Sequence, residues 1–457
     1  MLQKNPDRRR VLKPTHILIL SFMVLIFIGT ILLMLPQATI GARLSIVDAF
    51  FTATSASCVT GLVVVDTGTT FTLFGQIVIL ALIQIGGLGI MTLSTFFMFL
   101  LIGQFSLFDQ DIIQETLTQK PIKNLANFLR IIFLFTILVE LIGAFVLSLR
   151  FIMTMPFHKA IYYGVFHSVS AYCNAGFALF PDSFITYKSD ILINFTLMAL
   201  IIIGGLGFIV VLDLNQYFRY RRHGMQPGLS VYTKIVLSMT GTLIIFGSLG
   251  FYIFEIRNGI ENFPVGTRLV VSMFQSVTTR TAGFNSIDFA GLSNATIFLF
   301  VILMFIGASS GSCGGGIKTS TFGILIAFLV AKFKNQTDVN FFKRRISNDI
   351  IARTVSITFF SIVVISIFTL VLLMSEVGEI SHQQSRSMFL EILFEVVSAF
   401  GTVGLSTGIT ATLSFIGKIL VSMLMFIGRL GPLTLALAIG GREQLPYRYP
   451  KENLLVG

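Results

Sequence analysis

Four short stretches of this chain carry residue types from which an ion-binding backbone could be built. They read SCVTGL (57–62), YCNAGF (172–177), RTAGF (280–284) and GTVGL (401–405), each with a Gly followed by Leu or Phe. Glycine at Gly61, Gly176, Gly283 and Gly404 permits left-handed dihedrals and leaves no side chain in a narrow path. Brought to one axis, four such strands would present rings of backbone carbonyls able to replace the hydration shell of K⁺. The predicted ion-binding set is Val59, Thr60, Gly61, Asn174, Ala175, Gly176, Thr281, Ala282, Gly283, Thr402, Val403 and Gly404, with K⁺ at this filter the only metal expected.

A second group of residues suggests a barrier on the same path. Ten residues from Gly307 to Gly316 (GASSGSCGGG) hold five Gly and three Ser inside an apolar run, a composition that cannot sustain a regular helix. Irregular backbone at membrane depth must line a cavity or be buried in protein, so a gate is expected at Gly311, Ser312, Cys313, Gly314, Gly315 and Gly316; a packing kink is the plain alternative. Arg429 falls at the matching depth of the last span and needs a carbonyl or acid partner there. Lys318 belongs to the same group, unless it snorkels to the cytoplasmic side. Asp66, Asp182 and Asp288 follow their glycines by five or six residues, either concentrating cations at an outer mouth or acting as local caps. Glu140 reads as a structural hydrogen-bond partner rather than a proton relay. Arg280, Glu391 and Glu395 could form ion pairs behind the pore loops.

Other chemistry is excluded. HExxH, GxSxG and Walker patterns are absent, and the three Cys and five His are scattered without metal-ligand spacing. An intramembrane enzyme would need a nucleophile–base pair or metal ligands at depth, and the sequence offers neither; the chain is not expected to be an enzyme or to bind an organic cofactor. Only 12% of the residues are charged and 54% are hydrophobic, too little polar surface for a soluble domain. The net charge of +11 is therefore unlike that of a nucleic-acid binder, and suits a membrane protein with sorted basic residues.

The elements that must position these residues follow from hydropathy. Apolar runs of spanning length lie at roughly 15–36, 71–102, 125–150, 190–212, 230–255, 295–330, 351–375 and 413–439. Between them, segments 45–62, 157–177, 262–284 and 386–405 are too short to cross and read as re-entrant. The motif glycines are 115, 107 and 121 residues apart, and a second motif keeps step with them: IGGLG at 85–89 and 203–207, MFIG at 304–307 and 425–428. The expected fold is an all-α membrane protein of four covalently linked span–pore loop–span repeats, with eight transmembrane helices and pseudo-fourfold symmetry around a single pore. Its parts are a cytoplasmic N-terminus (1–14), repeats at 15–102, 125–212, 230–330 and 351–439, and a cytoplasmic tail (440–457). Segments assigned to the inner side hold 20 Lys and Arg against 8 on the other side, which puts both termini in the cytoplasm. Parallel repeats with one broken span in eight argue against an alternating-access carrier built on inverted repeats.

Taken together, TSASCVTGLVVVDT (54–67), HSVSAYCNAGF (167–177), QSVTTRTAGF (275–284), SAFGTVGLSTG (398–408), GASSGSCGGGIKT (307–319) and MFIGRLGP (425–432) resemble the Ktr/Trk/HKT superfamily of potassium transporters. The resemblance covers almost the whole chain and is greatest to the bacterial Ktr-type ion-translocating membrane subunit, since the chain begins directly with the first repeat. It implies K⁺ uptake across the cell membrane, with Na⁺ as a stimulating ion, by a homodimer in which each subunit has its own pore. It also implies a cytoplasmic ring of nucleotide-binding regulatory subunits responding to ATP and ADP, and lipid rather than nucleic acid as the remaining partner. In that family a Ser replacing the first filter Gly accompanies Na⁺ transport, so Gly61 implies K⁺ preference; a sodium-selective or Na⁺/K⁺-coupled transporter is the neighbouring alternative.

Overall fold

The structure, a computed structural model, describes residues 14–89, 125–225, 228–378, 381, 383–386 and 388–431. The expected N-terminus, the 90–124 stretch, the end of the last span and the tail lie outside the described residues, apart from Pro14.

Each sequence copy opens with a long apolar helix: α1 (Pro14–Met34), α4 (Leu125–Phe151), α8 (Val231–Glu255) and α12 (Asn348–Val377). Among the described residues these are the four single helices long and apolar enough to cross a membrane. Their outer faces expose Phe27, Leu141, Ile245 and Phe359, as suits a lipid-facing surface. After each comes a short helix: α2 (Ile46–Ser57), α5 (Phe157–Tyr172), α9 (Val265–Thr278) and α13 (Met388–Gly401). Ser45 caps α2, while Pro156 and Pro264 precede α5 and α9, where a missing N–H costs the helix nothing.

The second apolar helix of each copy is shorter: α3 (Leu73–Leu88), α6 (Ile191–Leu206), α10 (Asn294–Phe305) and α14 (Phe415–Leu430). At ~1.5 Å per residue, even the 16-residue ones reach only about 24 Å. Three end on glycines with left-handed φ, namely Gly89 (82°), Gly207 (83°) and Gly431 (85°). Beyond Gly207 the chain continues as α7 (Phe208–Arg222), bent 94° from α6. The expectation of one interrupted span in eight is thus corrected: the run at 190–212 is also broken, and its helix continues past residue 212. In the third copy the break is longer, and α11 (Thr319–Phe333) resumes after residues 306–318. A small antiparallel hairpin, Asn340–Phe341 with Arg344–Arg345, is a further departure from the all-helical expectation.

Each second helix is tied to the end of its first by a cap. Thr72 donates to Gln37 O (2.5 Å), Asp190 accepts from Arg150 Nε (2.5 Å), Ser293 donates to Glu255 Oε1 (2.8 Å) and Ser414 donates to Glu376 Oε1 (2.6 Å). The same four residues accept from the amides of Gly75, Ile193, Thr296 and Gly417 at their helix N-termini. Second helices also pack on the short helix of the following copy: α3 on α5, α6 on α9, α10 on α13, and α14 back on α2. Lys418 of α14 reaches Asp48 of α2 at 2.7 Å, joining the last copy to the first.

The in-step second motif has a spatial reason. A Cβ on Gly86, Gly204 or Gly428 would strike the carbonyl of Ser57, Tyr172 or Phe400, each four residues before a motif glycine. These glycines let the second helix cross the end of the short helix at backbone contact.

Candidate functional site

The short helices deliver their chain ends into the four motifs, where the backbone repeats one dihedral pattern. Left-handed φ occurs at Val59 (57°) and Gly61 (96°), Asn174 (59°) and Gly176 (71°), Thr281 (64°) and Gly283 (77°), and Thr402 (49°) and Gly404 (89°). Left-handed residues alternating with ordinary ones turn successive carbonyls to the same side of the strand, which a regular strand does not do. The four strands face one another in order. A Cβ on Gly61 would lie 2.6 Å from Ala175 O, one on Gly176 3.0 Å from Ala282 O, and one on Gly283 2.5 Å from Val403 O; one on Gly404 would strike Thr60 O. The contacts form a closed circuit through eight of the twelve residues named from sequence, Thr60, Gly61, Ala175, Gly176, Ala282, Gly283, Val403 and Gly404; Val59, Asn174, Thr281 and Thr402 stand one position before it in each strand.

The residues after those four, Thr60, Ala175, Ala282 and Val403, are held by their own short helices. Thr60 N donates to Ser55 O (2.8 Å), Ala175 N to Ser170 O (2.7 Å), Ala282 N to Thr278 O (3.0 Å) and Val403 N to Ser398 O (2.8 Å). The hydroxyls of Ser55, Ser170, Thr278 and Ser398 add a second tie. Gly61 N donates to Ser55 Oγ (3.1 Å) and Gly404 N to Ser398 Oγ (3.2 Å), while Ser170 and Thr278 donate to the carbonyls of Phe177 and Phe284 (2.8 Å each). Sequence reasoning missed Ser55, Ser170, Thr278 and Ser398. Their signal was present as a hydroxyl residue five or six positions before each motif glycine. The Asn174 amide is best satisfied with its nitrogen toward the carbonyls of Ala171, Tyr172 and Ile201 and its oxygen accepting from Thr281 Oγ1, all at 3.2 Å.

The 306–318 loop packs directly against this circuit. Gly307 N donates to Ile317 O (2.9 Å), closing the loop at its neck. Gly315 N donates to Thr402 Oγ1 (2.8 Å), and a Cβ on Gly314 would strike Thr281 Oγ1. Gly316, left-handed at 68°, passes so close to Gly401 that a Cβ would stand 3.3 Å from its Cα. The helix break at Gly207 holds the far side: Ser309 Oγ donates to Gly205 O (2.9 Å), and Phe208 N donates to Gly311 O (3.0 Å). Ser312 Oγ donates to Ser309 O (2.6 Å) and Tyr232 Oη to Ser310 O (2.8 Å).

Two cations are bound on the loop's carbonyls. Arg429 donates through Nη1 to Cys313 O and through Nη2 to Gly86 O, and Lys318 Nζ donates to Gly314 O (2.6 Å). Lys318 therefore folds back onto the loop instead of snorkelling outward. Among the described residues neither has a carboxylate partner.

The remaining sequence candidates make other contacts. Asp66 accepts from Thr69 N (2.7 Å), Asp182 from Thr186 N (3.1 Å) and Asp288 from Ala290 N (3.0 Å), all local cap contacts on exposed or half-buried turns. The expected ion pairs behind the loops do not form: Arg280 meets Thr240 and Thr319, and Glu395 accepts from Thr410. The threonine hydroxyls that stand in for an acid at Arg280 and for a base at Glu395 carry no sequence signal of pairing. Glu140 accepts from Gln84 Nε2 (3.1 Å), joining α4 to α3. Cys58, Cys173 and Cys313 are free and buried.

Residues 2–442 match the family profile described as TrkH, cation transport protein. The chain is 40% identical over 448 residues to the Ktr system potassium uptake protein B of Bacillus subtilis, covering 97% of each chain. It is 37% identical over 463 residues to the potassium/sodium uptake protein NtpJ of Enterococcus hirae, covering 100% of each. Its structure is similar to the crystal structure of the potassium transporter TrkH from Vibrio parahaemolyticus, with a TM-score of 0.74 at 17% identity, over 96% of this chain and 87% of that one.

Proposed function

This chain belongs to the TrkH cation transport protein family, integral membrane transporters and not enzymes, and on that premise we propose that it takes up K⁺ through a channel-like pore. The pore axis runs through the circuit of Gly61, Gly176, Gly283 and Gly404, around which four repeats with eight crossing segments stand in pseudo-fourfold symmetry. Both termini are cytoplasmic. The observation that carries this reading is the circuit itself, in which each glycine closes on the carbonyl of the next copy. Carbonyl rings of that kind substitute for the water around K⁺.

The 306–318 loop is the gate, on the inner side of the filter, with Arg429 and Lys318 as its positive barrier. Its contacts on Thr402 and on the break at Gly207 support a docked, non-conducting position. The relatives named as proteins of a Ktr system support a partner component. We assign that role to a cytoplasmic nucleotide-binding ring acting on a homodimer of this chain. A second reading, passage of both K⁺ and Na⁺, is favoured by the likeness to a relative named as a potassium/sodium uptake protein.

Uptake of radiolabelled Rb⁺ and Na⁺ into liposomes tests the two. Rb⁺ flux should exceed Na⁺ flux by about tenfold or more, a discrimination of ~1.4 kcal/mol, and Gly61→Ser should erode that ratio. Equal fluxes in the unaltered protein would remove the K⁺ filter and leave the second reading.

A further inference from the structure

Arg280 is a buried charge that the filter and the loop leave unused. It follows the C-terminal end of α9 and immediately precedes Thr281, and only 7% of its surface is exposed. Its guanidinium carries five N–H donors. Nη2 makes long contacts to Thr240 Oγ1 (3.5 Å) and Thr319 Oγ1 (3.3 Å), whereas Nη1 is buried with no partner. Among the described residues no carboxylate pairs with it. The end of α9 compensates part of the charge, about half an elementary unit at most. A buried ion left otherwise uncompensated costs several kcal/mol.

Arg280 also lines a small cavity. Its walls are Ile201, Ile202 and Gly205 of α6, Thr240 of α8, Val277 of α9 and Ala308 of the loop, with no acidic group among them. The space admits about one water-sized particle, which excludes phosphate, sulfate and lipid headgroups. This wall offers guanidinium N–H donors and the hydroxyl of Thr240, which accepts from Nη2 and keeps its own O–H to donate, among otherwise apolar side chains.

We propose that this cavity is a binding site for a single monatomic anion, of the chloride and bromide class, held by Arg280 Nη1 with Thr240 as the neighbouring hydroxyl. The ion supplies the counter-charge that the chain withholds from Arg280.

Crystals of the full-length protein grown in bromide, measured at the bromine absorption edge, test the site directly. One anomalous peak within hydrogen-bond distance of Arg280 Nη1 is expected; ordered water there without a peak would overturn the proposal. In detergent, chloride and bromide should raise the melting temperature saturably over gluconate at equal ionic strength, as binding to the native state requires. Arg280→Met should lose the saturable part and keep the general salt effect. If that variant does not fold, Thr240→Val serves, with the halide midpoint rising about threefold or more. A salt response unchanged in the variant that folds would count against the site. Both readouts are independent of transport.

Discussion

Thr402 joins the glycine circuit to the 306–318 loop. Its backbone adopts left-handed dihedrals one residue before the glycine circuit, and its hydroxyl accepts the Gly315 amide of the loop. Threonine and valine disfavour positive φ, at a cost of about 1–3 kcal/mol per residue. The ties to Ser55, Ser170, Thr278 and Ser398 hold the chain there. This explains what the sequence did not reveal: the four glycines announced themselves, but at three of the four positions two residues earlier a β-branched side chain, Val59, Thr281 or Thr402, argues against the very conformation it adopts, Asn174 being of a type that favours it. Thr402→Val removes the acceptor and leaves a buried amide unpaired, worth about 1–3 kcal/mol. Rb⁺ uptake without any regulatory subunit should therefore rise about 5- to 150-fold if that energy holds the loop down. Thr402→Ser keeps the acceptor and should stay near the unaltered rate; similar rates for the two variants would release Thr402 from this role.

At the level of elements, hydropathy located the helices but not their breaks. An apolar run looks the same to a hydropathy reading whether or not a single glycine interrupts it, so 190–212 read as one span although Gly207 turns the chain by 94°. The Gly-rich loop was legible because ten consecutive residues departed from helical composition. Its anchor at Gly207 was not, because the contact is between distant parts of the chain. A Cβ on Gly207 would stand 2.9 Å from Ser310 O and 3.0 Å from Gly311 O, with φ at 83°. Gly207→Ala should loosen the loop on its far side. Cys313, buried in that loop, reports on it: with Cys58 and Cys173 changed to Ala, a small thiol reagent should modify Cys313 about tenfold faster in Gly207→Ala, corresponding to ~1.4 kcal/mol of lost docking. An unchanged rate would show that the break does not hold the loop.

For the whole molecule, the repeat in sequence already implied that four copies must meet, yet it could not say how the ends join. The structure joins them through α14 on α2, with the half-buried Lys418–Asp48 pair at the contact. Such a pair contributes up to about 1 kcal/mol. Asp48→Asn is expected to lower the apparent melting temperature in detergent by about 1–3 °C, and the exchange Asp48→Lys with Lys418→Asp to restore it. A single variant melting like the unaltered chain would mean that helix packing alone closes the circuit. The ring of glycines built from four unlike copies has one more consequence. Where identical subunits share a gene, every mutation is imposed on all quadrants at once. Here a single codon alters one quadrant and leaves three intact, so under the proposed function ion preference can be adjusted one quadrant at a time.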